Sequence, residues 1–447
     1  MLTTEHRVCR IRPYLIMFLS AMLRAFYVNY ISIYKMQHDG GFPYARTGHL
    51  SYVTYLLTEG HLQDFDPRTA DQFWHPPLHH VLSAGLLRIS WKLFPAQEGN
   101  LEIMQLLPYL YITAVIWVFW KMLREYAANT DPALRDAILA LTAFQPTFVI
   151  LSASVNNDAL ALLMSMLVLY AALRWYRKPG LKNAAVVGAA LGIGLSSKLA
   201  VALMFIPAAL MVLLKSLRDR RVPLRDMGMV ALIGLPTGLW WYLRNLIRFG
   251  VPLNYVWNIE GGEFLTQNLS RFSAAERILF ADPRQFSYEN TYVQYEGELL
   301  ERNPLTGLIK TTAVELWTWT YSDGGFKFVS WLLVLLTTLF AILVFAGSLQ
   351  FVSAGGKDQI AMDGIERAAI LFVIAADLVS YYVFCFRYPY VWSMDIRYIE
   401  TILPMGGLVL LSLAERTGKL KKAVQLLSWV QVVLTVIFFA TAPGHIL

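Results

Sequence analysis

The chain has 447 residues, of which 56% are hydrophobic and only 15% are charged, and its mean hydropathy is +0.47. This composition excludes an ordinary soluble domain and predicts an all-α polytopic membrane protein. The net charge of +7 is attributed to basic loops beside a membrane, so no nucleic-acid partner is predicted. The two cysteines, Cys9 and Cys385, support neither a disulfide framework nor a cysteine-based metal site.

Apolar segments long enough to cross a bilayer recur along the whole chain. We predict about eleven transmembrane helices in a single membrane-embedded domain, with no separate soluble domain. The predicted domain covers residues 1–447, and its spans are 13–34, 101–121, 134–153, 159–175, 183–197, 199–215, 227–243, 327–349, 367–386, 398–414 and 423–443.

Basic residues predict the orientation of these spans. With the N-terminus inside, the short loops on that side carry clusters such as Arg7, Arg10 and Arg12, and the basic run at 215–225. An excess of lysine and arginine is typical of short cytoplasmic loops. Two longer segments then lie outside, the first at about 35–100 and the second at about 244–327.

The segment 76–94 is apolar but carries two histidines, an arginine and a lysine. If it crossed the membrane, every later loop would be inverted and the basic run at 215–225 would lie outside. We therefore predict an amphipathic helix at the outer interface, while a true span with another boundary misplaced is the alternative. A second amphipathic stretch, at 44–62, precedes it in the same outer loop.

Two acids are candidates for catalysis. Asp39 follows the first predicted span in the sequence HDGGF, where the glycines allow close backbone approach and the carboxylate could act as a general base. The alternative is an ordinary Asp-Gly turn. Asp158, in VNNDALALL, opens a predicted helix and either caps it or, with Asp39, holds a divalent cation such as Mg²⁺ or Mn²⁺.

Three basic residues lie at predicted outer ends of spans, where the positive-inside rule does not account for them. Arg244 lies in LRNLIRF, Arg397 in DIRYIE and Lys198 in SSKLA. Arginine binds phosphate bidentately, so the set predicts a phosphate site. For each residue taken alone, the alternative is snorkelling to lipid headgroups.

Further polar residues accompany these positions. His75 and His79 are four residues apart in FWHPPLHH, but the two prolines between them favour a helix start over a metal site. The rest of the predicted substrate pocket consists of His38, His49, Asn157, Asn245 and Tyr398.

The order of these motifs resembles that of the GT-C glycosyltransferases. An acid after the first span is followed by HPPL, by VNNDALALL, by RN…FGVP and by RY…LP, over roughly residues 13–410. The resemblance is to the branch of protein O-mannosyltransferases and aminoarabinose lipid A transferases. It implies a GT-C-like helical membrane fold with amphipathic juxtamembrane helices in the first outer loop.

The resemblance also implies an activity in glycan biosynthesis of the cell envelope. Enzymes of this kind transfer a sugar from a polyprenyl-phosphate donor to a glycan, lipid or protein acceptor, with inversion, on the extracytoplasmic face. The implied location is a bacterial plasma membrane with an outward-facing active site, or the ER membrane with a luminal site in a eukaryote.

The same resemblance implies roles for individual residues. Asp39 matches the catalytic acid of the first outer loop, and Asp158 matches the acidic position of the second. Arg244 and Arg397 match basic residues near the donor phosphate, and Lys198 is added as a candidate.

Two other functions stay open at this point. One is a polytopic transporter or flippase of lipid-linked sugars, although no convincing internal repeat is present. The other is a polymerase or ligase that uses a diphosphate-linked donor.

Overall fold

The computed structural model describes residues 4–256, 268–280, 282, 294–295, 298–299, 301–314, 324–354 and 359–444. Nearly all regular structure within these ranges is helical, which confirms the predicted all-α class. The α-helices are α1 (Thr4–Tyr30), α2 (Gly48–Glu59), α3 (Leu78–Leu93), α4 (Leu106–Tyr126), α5 (Pro132–Ala143), α6 (Pro146–Leu151), α7 (Asp158–Arg177), α8 (Leu181–Leu195), α9 (Phe205–Asp219), α10 (Leu224–Phe249), α11 (Ala274–Leu279), α12 (Pro304–Ala313), α13 (Gly324–Phe351), α14 (Gly364–Arg387), α15 (Ile402–Glu415) and α16 (Gly418–Thr441). Two strands of two residues each, β1 (Gln294–Tyr295) and β2 (Glu298–Leu299), pair in antiparallel fashion.

Seven helical segments within the described ranges are long and apolar enough to cross a membrane. They are Ile11–Tyr30, Leu101–Tyr126, Asp158–Arg177, Leu199–Asp219, Gly325–Phe351, Gly364–Arg387 and Gly418–Thr441. Each coincides with a predicted span, so the chain is a multi-pass membrane protein. Among the described residues, fewer helices than the predicted eleven spans meet these criteria of length and hydropathy.

The other predicted spans are helical but differ from a simple crossing. The segment 134–153 is two helices, α5 and α6, because Pro146 begins α6 and lacks the N–H that would continue the α5 hydrogen bonds. Helices α8 and α15 are apolar but have only 15 and 14 residues. Helix α10 has 26 residues but includes charged side chains such as Arg225 and Asp226.

The segment 76–94 forms α3, which is not among the seven spanning segments of the described chain. Its inner face is buried at His80 and Leu87, and its outer face exposes the apolar Ile89 and Leu93. A helix in contact with lipid would present such an outer face. Its placement at the membrane interface stays a prediction.

The contacts divide the chain into two compact units, and each unit is discontinuous in sequence. One unit consists of Met1–Tyr30, Phe119–Ile150 and Asn258–Leu447, and in it α15 packs against α5 and α13. The other consists of Ile31–Val118 and Leu151–Trp257, and in it α2 packs against α3 while α8 packs against α7 and α10. The predicted single domain stays a prediction.

Glycines allow α8 and α10 to pack closely. Gly188 and Gly192 lie four residues apart on α8, and Gly234 and Gly238 have the same spacing on α10. A Cβ atom at Gly188 would lie 2.9 Å from the carbonyl oxygen of Val230. Small residues at this spacing let two helix backbones approach within a membrane. The close packing holds the end of α8 beside the part of α10 that carries Arg244.

Candidate active site

Asp39 lies in a closed loop between α1 and α2. The N–H of His49 donates a hydrogen bond to the Asp39 carbonyl at 2.9 Å, and the N–H of Leu50 donates to the Gly40 carbonyl at 2.9 Å. Asp39 itself is exposed. The loop therefore holds an accessible carboxylate on a fixed backbone.

Two glycines permit this closure. Gly41 and Gly48 have φ angles of +65° and +76°, which side chains disfavour. A Cβ atom at Gly41 would lie 1.8 Å from the carbonyl oxygen of Thr47, and one at Gly48 would lie 2.4 Å from that of Gly40. The glycines therefore allow two stretches of the loop backbone to approach each other closely.

The backbone around Asp39 is held in an uncommon conformation. In the described part of the chain seven non-glycine residues have a positive φ, and five of them fall in the short region 36–72. These five are Met36, Asp39, Tyr44, Arg46 and Gln72. Each such residue costs about 1–3 kcal/mol, and backbone strain of this kind clusters at functional sites.

Three of the predicted motifs meet at Val155. A Cβ atom at Gly40, next to Asp39, would lie 3.8 Å from Cγ2 of Val155. His79, on α3, places its Nε2 atom 3.1 Å from the Val155 carbonyl. Asp158 follows three residues later and begins α7. The HDGGF loop, the HPPLHH helix and the VNNDALALL segment are therefore neighbours in one unit.

Gln37 joins the first and third of these motifs. Its Nε2 donates to the Ala153 carbonyl at 3.1 Å, and its Oε1 accepts the N–H of Val155 at 2.9 Å. His38, a predicted pocket residue, follows it and is buried. The sequence gives no signal for the role of Gln37 beyond its position two residues before Asp39.

Asp158 and Lys198 are brought together as partners. The Lys198 ammonium forms an ion pair with the Asp158 carboxylate, whose other oxygen accepts the Asn156 amide at 2.7 Å. Their side chains are only 14% and 1% exposed, respectively. Asn157 donates to the Ser197 carbonyl at 2.6 Å. These contacts tie the start of α7 to the turn after α8, and removal of either charge would leave the other buried without its partner.

Three of the four predicted pocket histidines, His49, His75 and His79, lie in one cluster. Nδ1 of His49 is 2.8 Å from Nε2 of His80, and one of these atoms donates a hydrogen to the other. The His75 ring stacks on His49 with the centroids 5.5 Å apart. The ring of Tyr52 stacks on His80 at 4.2 Å, and His79 contacts His80 edge-on at 5.6 Å. His80, which the sequence analysis did not assign to the pocket, is the central member.

Burial keeps two of these histidines neutral. It lowers the pKa of His79 to about 4 and that of His80 well below its usual value, with nearby histidines adding to the effect at His80. Among the residues that the structure describes, no group of three or more His, Cys, Asp or Glu side chains could hold a metal ion. The predicted divalent cation stays a prediction, and a role for the cluster in positioning the Asp39 loop follows more directly from its contacts.

Arg244 lies near the end of α10 and binds the segment after α2. Its guanidinium donates to the Gln63 carbonyl and, at 2.8 Å, to Oδ1 of Asn245, and it stacks over Trp241 with 4.8 Å to the ring centroid. Gln63 in turn accepts the hydroxyl of Tyr52 at 3.1 Å. Arg244 and Asn245 therefore belong to the same unit as Asp39, and Arg244 is linked to the histidine cluster through Gln63 and Tyr52.

Asp71 is an acid of this region that the sequence analysis missed. Its carboxylate accepts the N–H of Gly48 and, at 3.0 Å, the Nε2 hydrogen of Gln72. Burial, followed by the charge of Asp39, raises the pKa of Asp71 to about 7. The available signal was an acid four residues before the first histidine of FWHPPLHH.

Arg397 and Tyr398 belong to the other unit. They lie in a short 3₁₀ turn before α15, so the helix predicted at 398–414 begins only at Ile402. Nε of Arg397 lies 3.4 Å from Oδ2 of Asp395, and its Nη2 donates to the Tyr398 hydroxyl at 2.7 Å. Arg397 thus has an acidic partner within its own turn. Its predicted place beside the donor phosphate stays a prediction.

Comparisons with known proteins extend these observations. Residues 75–241 match the family described as dolichyl-phosphate-mannose-protein mannosyltransferase. The matched stretch begins at His75 and includes the Asp158–Lys198 pair. A search of curated proteins gives no match to the chain.

Two solved structures share the fold of the chain. ArnT from Cupriavidus metallidurans, in the apo state, has a TM-score of 0.51 and 12% identity, over 96% of this chain and 76% of ArnT. The oligosaccharyltransferase AglB from Archaeoglobus fulgidus, in complex with an inhibitory peptide and a dolichol-phosphate, has a TM-score of 0.54 and 12% identity. The match to AglB covers 97% of this chain but only 56% of AglB. Residues 75–241 therefore resemble this mannosyltransferase family, and the chain has the helical fold of ArnT and AglB.

Proposed function

We propose that this enzyme transfers a sugar from a polyprenyl-phosphate donor to an acceptor hydroxyl on the extracytoplasmic face, with inversion at the anomeric carbon. The matching family is named for a dolichyl-phosphate donor, and the AglB structure contains dolichol-phosphate. The observation that carries the proposal is the meeting of the Asp39 loop, the start of α3 and the start of α7 around Val155.

Asp39 is the base in this proposal. Its carboxylate accepts the proton of the acceptor hydroxyl while the acceptor oxygen forms a bond to the anomeric carbon. The bond from that carbon to the donor phosphate breaks, and its electron pair leaves with the polyprenyl phosphate. The exposed side chain of Asp39 suits this role because an acceptor in water can reach it while the donor tail stays in the bilayer.

The leaving phosphate gains charge in the transition state and needs preorganised positive groups. Arg244 is the first choice, since it lies in the unit of Asp39 and its planar guanidinium can bind phosphate bidentately. Lys198 ranks lower because Asp158 neutralises its charge. The predicted phosphate contact of Arg397, which lies in the other unit, stays a prediction.

The acceptor is a hydroxyl of a glycan, a lipid or a protein. A divalent cation at Asp39 remains part of the proposal as an option, and no step above depends on it. If the donor is diphosphate-linked, the same displacement would describe a polymerase or ligase.

The test is Asp39→Asn, assayed with a panel of short polyprenyl-phosphate and polyprenyl-diphosphate sugars, with and without a chelator. Asn adopts a positive φ more readily than most residues, so the variant should fold and lose transfer. Glu59→Gln, which removes an exposed acid at the end of α2, is the matched control and should keep full activity.

The possible results separate the candidate functions. Near-wild-type turnover by Asp39→Asn would overturn the assignment of the base. Transfer from diphosphate-linked donors alone would favour the polymerase or ligase. Donor binding by the wild-type chain without any transfer would favour a transporter or flippase.

A further inference from the structure

We propose that Asp71 is a positioning residue for Asp39. It fixes the loop that carries the base, and its carboxyl group acts electrostatically on that base. This inference rests on the proposed role of Asp39.

Asp71 is hydrogen-bonded to the part of the Asp39 loop that leads into α2. Its N–H donates to the Arg46 carbonyl at 3.2 Å, and its carboxylate accepts the N–H of Gly48. Gly48 packs so tightly on Gly40 that a Cβ atom there would lie 2.4 Å from the Gly40 carbonyl oxygen. A shift of Asp71 would therefore be transmitted to the residue next to Asp39 through backbone contacts.

Gln72 holds the Asp71 carboxylate in this position. It is buried, its φ is +65°, and its Nε2 donates to Oδ1 of Asp71 at 3.0 Å. Among the described residues, the groups that act on the Asp71 carboxylate are two neutral donors, Gly48 and Gln72, and the charged side chain of Asp39. The guanidinium of Arg46, whose carbonyl accepts the Asp71 N–H, stacks on Phe65 with 4.9 Å to the ring centroid.

Two carboxyl groups that interact electrostatically oppose each other's ionisation, and their titrations are coupled. Since burial and Asp39 raise the pKa of Asp71 to about 7, Asp71 is largely protonated in mildly acidic solution and ionised in mildly basic solution. When Asp71 is ionised, its charge increases the proton affinity of Asp39. A base of higher proton affinity accepts the acceptor proton more readily, so ionisation of Asp71 should increase kcat.

The experiment compares the pH dependence of kcat for the wild type, Asp71→Asn, Asp71→Ala and the control Glu59→Gln, at a fixed divalent-cation concentration. Asn retains an oxygen for the Gly48 N–H but carries no charge, whereas Ala removes both. We expect wild-type kcat to rise severalfold between about pH 6 and 8. Asp71→Asn should lose this rise with an unchanged KM for the donor, Asp71→Ala should also lose most of its kcat, and Glu59→Gln should match the wild type.

Two results would contradict the inference. A wild-type pH profile for Asp71→Asn would exclude an effect of the Asp71 charge on the base. Equal loss of kcat in the Asn and Ala variants, with the pH rise retained in both, would indicate a purely structural role. Activity in Asp39→Asn would instead refute the proposed base, so the two failures are distinguishable.

Discussion

Arg244 is the residue whose contribution to the reaction can be isolated most directly. Arg244→Ala should reduce kcat about a hundredfold, or about 3 kcal/mol in transition-state stabilisation, as expected for loss of one preorganised donor. Arg248→Ala is the matched control, because Arg248 lies one turn further along α10 and is exposed. Steady-state kinetics with the donor as varied substrate measures both. Unchanged kinetics in the Arg244 variant would indicate that this arginine contacts lipid headgroups instead.

Asp71 should also make the stability of the protein depend on pH. The folded state holds its proton up to about pH 7, whereas the unfolded chain releases it near the ordinary value of 3.8. Between these values the unfolded state binds fewer protons, so the free energy of unfolding falls as the pH rises. Asp71→Asn lacks this titration, and its Tm relative to the wild type should increase between about pH 4 and 7 and then stay constant. Thermal unfolding in detergent measures this, and a difference in Tm that does not change with pH would contradict it.

Single residues were predictable where a motif marked them. Asp39 and Arg244 could be selected because each lies in a short motif near a predicted span end, and His75 because it begins the HPPL motif before the predicted interfacial helix. The pairing of Asp158 with Lys198 was not predictable, since 40 positions separate them and only the packing of α7 against α8 brings them together. The roles of Asp71, His80 and Gln37 were likewise not predictable, because they depend on tertiary contacts.

At the scale of helices, apolar length predicted where the helices lie but not how each begins and ends. The segment 134–153 was read as one span although Pro146 ends the hydrogen-bonding pattern of α5. The segment 398–414 was given too early a start, because Asp395 caps a separate 3₁₀ turn before α15. Such boundaries depend on individual caps and prolines, to which average hydropathy is insensitive.

The packing of α8 on α10 gives a prediction at this scale. Gly188→Ala would place a Cβ atom 2.9 Å from the Val230 carbonyl oxygen, and this backbone atom cannot move aside as a side chain would. The variant should lose about 1–3 kcal/mol of stability, as is typical when extra atoms are forced into a packed interface. Gly228→Ala is the control, because a Cβ atom there meets nothing within 4 Å. Equal Tm values for the two variants would refute the tight packing.

At the scale of the whole molecule, the topology can be tested by labelling introduced cysteines in a Cys9→Ser background, in which the remaining Cys385 is buried. Phe42 is exposed in the Asp39 loop, and Arg221 is exposed between α9 and α10. The predicted spans place an odd number of crossings between them. An impermeant maleimide should therefore label Phe42→Cys on intact cells and label Arg221→Cys only after permeabilisation. Labelling of both on intact cells would mean an even number of crossings, as expected if α3 spans the membrane.

The discontinuous make-up of the two units has a consequence for biogenesis. Every residue of the unit that contains Asp39 lies before residue 258, whereas the unit that begins with α1 also requires Asn258–Leu447. Since proteins form their units as the nascent chain leaves the ribosome, the Asp39 unit can assemble while translation is still under way. Helix α1 is synthesised first and packs against α5, but its other partner, α16, is made last.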